Sequence, residues 1–216
     1  VDATTGGDSH RYSLSVDAWS RHDGRGWTAL AYAVDYQLDL ISNFTYALDQ
    51  ENGDQFEQYD SRRVYGGHFE YDMPASLTRL DGALRAGAEL RMDDIAPVAL
   101  YRTIARERFE TIRKDDVRQT QYSAYVIHDQ RWTEWLRTEA GLRVDHLDFS
   151  VDSDLPVNSG DETDSIVGPK LTVVLGPWAE TEFFLNAGRG FHTNDARGTT
   201  IRVDPTDGVT PVEPVD

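Results

Sequence analysis

Between Leu136 and Asp145 the chain alternates without a break. Leu136, Thr138, Ala140, Leu142 and Val144 fall on one side, and Arg137, Glu139, Gly141, Arg143 and Asp145 on the other. A period of two places successive side chains on opposite faces of a strand, whereas a helix would scatter both classes around its axis. Such a strand needs one environment for aliphatic groups and another for charges. The pattern recurs. Tyr12, Leu14, Val16 and Ala18 alternate with Ser13, Ser15, Asp17 and Trp19, and Leu84 to Met92 alternate with Arg85, Gly87, Glu89 and Arg91. Leu30, Tyr32, Val34, Tyr36, Leu38 and Leu40 oppose Ala29, Ala31, Ala33, Asp35, Gln37 and Asp39. By the same logic Leu30 to Leu40 is the apolar face of that strand.

Read this way, the chain holds about eight strands. Tyr65 to Met73, Tyr122 to His128, and a hairpin built from Leu171 to Leu175 and Phe183 to Leu185 complete the set. Val1 to His10 and the stretch after Asn194 read as loop. Short turns are expected near 23–26, 74–82, 129–135 and 176–180. Longer, mostly acidic connections are expected near 49–61, 93–119, 148–164 and 192–216, with room for a short helix over Arg102 to Arg113.

Composition narrows the setting. Of 216 residues, 39% are hydrophobic and 11% aromatic, too many for a disordered chain. The formal charge of -17 argues against nucleic acid or an anionic leaflet as partner. Without cysteine there is no disulfide scaffold and no thiolate zinc site. No run of about 18 apolar residues offers a transmembrane helix. A tilted strand, however, crosses a bilayer with about 9–11 residues, of which only alternate ones must be apolar.

Alternation alone does not say which face meets what. In a soluble sheet the apolar face is buried; in a membrane barrel it meets lipid and the charged face lines the lumen. Two features favour lipid. The strands run to about ten residues, longer than the mode of about 5–6 in globular sheets. Aromatics gather near strand ends, at Trp19, Trp27, Phe44, Tyr46, Trp132, Trp135, Phe149, Trp178 and Phe191, where interfacial girdles place them. Caps on a soluble core would use the same residues.

Three segments resemble TonB-dependent outer-membrane receptors: Ser42 to Tyr46 followed by Gly53 to Gln58, Trp135 to Phe149, and Phe184 to Gly198 with its Gly-Phe-His-Thr-Asn-Asp-Ala-Arg-Gly run. The resemblance implies an all-β, antiparallel up-and-down transmembrane barrel with short periplasmic turns and long extracellular loops, in the bacterial outer membrane. It implies a plugged barrel of about 22 strands in the family. Residues 1–216 are therefore expected to be part of such a barrel, lacking the plug and the C-terminal strands. The implied function is TonB-dependent uptake of a small chelated nutrient such as a ferric siderophore or cobalamin. The implied partners are the TonB complex, acting through the plug, and outer-membrane lipid. No cofactor and no enzymatic activity are implied.

Candidate site residues follow from the same segment. His192, Asn194, Asp195 and Arg197 are candidates to line the ligand chamber at the external mouth; a hydrogen-bonded loop holding a strand end would use them equally well. Asp148, Asp152, Asp154, Asp161, Glu162 and Asp164 offer oxygen donors for calcium, but their spacing is not that of the twelve-residue calcium loop, and a solvated loop explains them. Arg85, Arg91, Arg137, Arg143 and Lys170 project with Glu89, Glu139 and Asp145 to one face, to pair along the wall or with a plug. Nucleophile elbows, phosphate loops and dinucleotide fingerprints are absent. A passive porin-type barrel and a soluble secreted β-sandwich binding carbohydrate are the competing readings.

Overall fold

The computed structural model describes residues 2–44, 53–191 and 195–215. Eight strands follow one another: β1 (Gly6–His22), β2 (Arg25–Ser42), β3 (Phe56–Pro74), β4 (Gly82–Ile104), β5 (Glu107–Arg131), β6 (Leu136–Ser153), β7 (Gly160–Trp178) and β8 (Thr181–Gly188). A 3-10 turn at Pro156–Asn158 joins β6 to β7, and a short helix, α1 (Ala196–Thr200), follows β8. The strands form one sheet in sequence order, each antiparallel to the next. The sheet is open, with β1 and β8 at its edges.

Expected and observed strands differ in length. Residues 93–119, expected to be a long charged connection with a helical turn, are strand except at Ala105 and Arg106. At about 3.3 Å per residue, the 23 residues of β4 reach roughly 75 Å, far more than the band of about 25 Å a bilayer requires. The upper part of the β4–β5 ribbon therefore stands in water, where alternation is not enforced and charge density mimics a loop. Its turn is equally hidden. Ala105 and Arg106 both take positive φ, 50° and 75°, without the Asn-Gly or Asp-Gly signal usual for two-residue hairpins. The acidic stretch 148–164 likewise resolves into the ends of β6 and β7 around a six-residue link, and β1 begins at Gly6 inside the expected loop. β7 runs on to Trp178, so its turn is Ala179-Glu180.

Register fixes the faces. Leu142 lies between Val126 and Pro169, Val144 between Ala124 and Val167, and Leu90 between Gly67 and Tyr122. Continuing that face to β2 reaches Ala29, Ala31 and Ala33, which pair with Phe69, Gly67 and Tyr65. The large residues Leu30 to Leu40 thus lie on the opposite, polar face, where Tyr32 meets Gly66 and Tyr36 meets Arg62. This overturns the expected orientation of β2. Between Ala29 and Val34 neither face of the strand carries a charge, so side-chain size does not report direction there.

Burial runs opposite to that of a soluble protein. Leu142, Val144 and Leu171 are 45%, 43% and 44% exposed, while Asp93 and Asp145 on the other face are each 1% exposed. The described residues form a single sheet, so no second sheet covers Leu142, Val144 and Val173, and a β-sandwich is excluded for them. No helix among them is long and apolar enough to cross a membrane. At the end carrying the turns 23–24, 75–81, 132–135 and 179–180, aromatic rings touch: Trp27 with Phe69, Trp135 with Trp178, and Trp178 with Phe183, at 6.2–6.5 Å between centroids. Phe149, expected in such a girdle, packs instead on the polar face.

Candidate functional site

The polar face is a continuous set of ion pairs made within the wall. Arg85 Nε donates to Asp72 at 3.1 Å, Arg91 Nε to Asp93 at 2.9 Å, Arg137 to Glu182 at 3.0 Å and Lys170 Nζ to Glu139 at 2.7 Å. Arg143 binds Glu89 at 2.6 Å and Asp145 at 2.9 Å. Asp145 also accepts from Ser123 and Gln121. Each buried carboxylate named here has a cationic partner, the condition under which charge survives in a low-dielectric place.

Aromatic rings organise this face. The Tyr125 ring lies against Gly87, and the Tyr32 ring against Gly66; a Cβ at either glycine would overlap the ring. Each glycine sits directly opposite its tyrosine, so the missing side chain is the space the ring fills. The Tyr125 hydroxyl donates to Glu70 at 2.6 Å and lies 2.9 Å from His68 Nε2, whose ring stacks on it. Glu70, Glu89, Tyr125, Arg143, Lys170 and Arg189 border a cavity of about 470 Å³.

At the opposite end from the short turns, the residues from Asp195 to Val203 fold over the polar face. Ala196 packs on Ile95, Val117 and Val151, a row spanning β4, β5 and β6, with Val98 and Phe149 beside it. Asp195 caps α1, its carboxylate accepting from Arg197 N at 3.0 Å. The Arg197 guanidinium bonds back to Asp195 at 2.6 Å and reaches within 3.8 Å of Asp115, a fully buried carboxylate also held by Arg113. Burial raises the Asp195 carboxyl, but the Arg197 hydrogen bonds and charge outweigh it and leave it below the usual range. Buried Asn158 secures the rest: its Oδ1 accepts from Arg202 N and Val203 N at 2.8 and 2.9 Å, and its Nδ2 donates to Val203 O at 3.0 Å.

Of the four expected ligand residues, Asp195 and Arg197 are thus brought together as cap and ion pair at the covered end, while His192 and Asn194 lie outside the described residues. The expected calcium carboxylates end up on β6, β7 and the link between them, and no cluster of three metal-ligating side chains exists among the described residues. Sequence reasoning missed Tyr125, Asp115 and Asn158. Glycines facing aromatics were the available signal for Tyr125; Asn158 gave none.

A meander with outward aliphatic groups and internally paired charges is the wall of a transmembrane β-barrel. Residues 2–212 match the family described as TonB dependent receptor-like, beta-barrel, and the chain belongs to that family of outer-membrane receptors and transporters. No curated protein matches the chain.

Proposed function

We propose that this chain is wall and rim of a receptor that imports a scarce, chelated nutrient, such as a ferric siderophore or cobalamin, across the bacterial outer membrane. The inverted burial carries the reading: Leu142 and Val144 face outward, and Asp93 and Asp145 are enclosed. Open edges at β1 and β8 cannot face hydrocarbon with unpaired backbone groups. Further strands of the receptor therefore close the barrel, and a plug within it passes the TonB complex's energy to the ligand. At the rim, His192, Asn194, Asp195 and Arg197 line the ligand's approach, an assignment supported by the place of Asp195 and Arg197 beside the polar face.

The test is uptake of radiolabelled ferric siderophores and cobalamin by cells with and without the intact receptor, with and without a proton uncoupler. Receptor-dependent uptake that the uncoupler abolishes supports the proposal. Uptake indifferent to the uncoupler favours a passive pore. A receptor that fractionates as a detergent-free soluble protein overturns the membrane assignment.

A further inference from the structure

Two carboxyl groups share one guanidinium near the tip of the longest ribbon. Asp39 on β2 and Glu57 on β3 lie on the face that carries Ala31 lower down, Asp39 opposite Tyr59 and Glu57 opposite Ile41. That face is already charged below them, where Arg63 Nε meets Asp35 at 3.5 Å, so the pair stands above the hydrocarbon. Glu57 is buried and engaged at both oxygens by Arg108 of β5, with Nε at 2.7 Å. The guanidinium reaches it across the Tyr101 ring, 4.0 Å from the centroid, and lies 5.4 Å from that of Tyr59.

Asp39 is left without a cation of its own. Its carboxyl is hydrogen-bonded to Glu57, and its Oδ1 is shut from solvent with no hydrogen-bond partner among the described residues. Ionised carboxylates only accept, so a bond between two carboxyl groups requires a proton on one of them. Arg108 holds Glu57 as the carboxylate, which leaves the proton on Asp39. No other charged neighbour replaces it: Asp8, opposite Asp39 on β1, adds negative charge, and His10 is engaged with Asp35 at 3.5 Å.

The same guanidinium belongs to the ribbon tip. Arg108 pairs with Thr103 across the turn at Ala105 and Arg106. Thr103 donates to Gln55 from its amide at 3.0 Å and its hydroxyl at 2.9 Å. Arg106 donates from its amide to Gln55 at 2.9 Å and from Nε to Thr4 O at 2.7 Å. The tip is thus tied down to the start of β3 and to the residues before β1, and Arg108 to Glu57 is the charged tie among these.

We infer that Asp39 and Glu57 form a one-proton latch: the protonated pair holds the tip of the β4–β5 ribbon down through Arg108, and loss of the proton lets the tip lift. With Asp39 ionised, two carboxylates in contact repel and Arg108 is divided between them. The closed tip binds the proton more tightly than the open one, so opening grows as pH rises. It grows by up to about tenfold per pH unit above the ordinary carboxyl value of about 3.9, and levels off once the closed pair has ionised. The device is separate from the choice of imported ligand.

The experiment follows hydrogen exchange of residues 102–108 in the intact receptor in detergent, corrected for intrinsic rates, from about pH 4.5 to 8, for wild type, Asp39→Asn and Arg108→Gln. Wild-type protection should fall as pH rises. Asn keeps a donor toward Glu57 without the charge, so Asp39→Asn should be flat across the range and, at the alkaline end, about tenfold or more better protected than wild type. A side chain that only packed there would lower protection when changed, not raise it. Arg108→Gln uncouples the pair from the tip and should give low protection at every pH. A wild-type profile that is flat or rises with pH, or an Asp39→Asn profile that falls as wild type does, overturns the inference. If heat-modifiable gel mobility shows that a variant does not assemble, the wild-type profile decides.

Discussion

The phenol ring of Tyr125 lies across Gly87, its direct partner on the neighbouring strand, and points its hydroxyl at Glu70 one strand further on. The ring bridges three strands because one of them has no side chain in its path. Gly87→Val is therefore expected to push the ring off its seat and break the contacts to Glu70 and His68. The cost should be about 1–3 kcal/mol, the range for overpacking. Urea unfolding of the assembled receptor measures it. Gly190→Ala, where an added Cβ meets nothing within 4 Å, serves as control and should be near neutral.

Orientation of the wall gives a sharper test, because sequence and structure disagree about β2. On β6 the aliphatic and charged classes separate cleanly, and the lipid face could be read from Leu142 and Val144 directly. On β2 they do not: Ala31 carries little hydrophobic signal, yet it shares its face with Gly67, Leu90 and Tyr122. Arginine at Leu142 or at Ala31 should each cost roughly 2–4 kcal/mol of insertion stability near mid-membrane, whereas arginine at Val34 should cost much less. Reversal of the β2 pair, with Val34→Arg the damaging change, would restore the orientation expected from side-chain size.

What else was legible follows the same physics. Inside the membrane band, lipid forces alternation on β4 and β6, and the sequence displays it. Above the band, water accepts any side chain, so residues 93–119 look like loop while their backbone stays paired in a ribbon. Asp195 and Arg197 were singled out by a family-like run. Their partner Asp115 was not, since the contact joins residues 82 positions apart.

Asn158 makes another such connection, and its removal should be felt at a distance. Asn158→Ala leaves the amides of Arg202 and Val203 and the carbonyl of Val203 without their partner. A loss of about 1–3 kcal/mol is expected, confined to the covering segment. Limited proteolysis should then cut between residues 201 and 215 in the variant well before the wild type, with the barrel strands untouched. Equal cutting of both would show that the segment is held by other contacts.

Acid should release the same cover through Asp195. Its carboxyl is pulled up by burial and down, more strongly, by Arg197. A carboxylate depressed in the folded state stabilises it fully above the unfolded value of about 3.9, and that contribution is lost as pH falls through the folded value. Protection of the α1 amides against hydrogen exchange, corrected for intrinsic rates, should therefore be flat from pH 8 to about 5 and fall below about pH 4. Asp195→Asn keeps a capping oxygen but loses the charge that attracts Arg197. Its protection should be lower at neutral pH and nearly independent of pH across the acid range. The two proteins should converge once Asp195 is protonated. An identical acid-induced fall in both would assign it to other carboxylates and remove Asp195 from the account of how the cover is held.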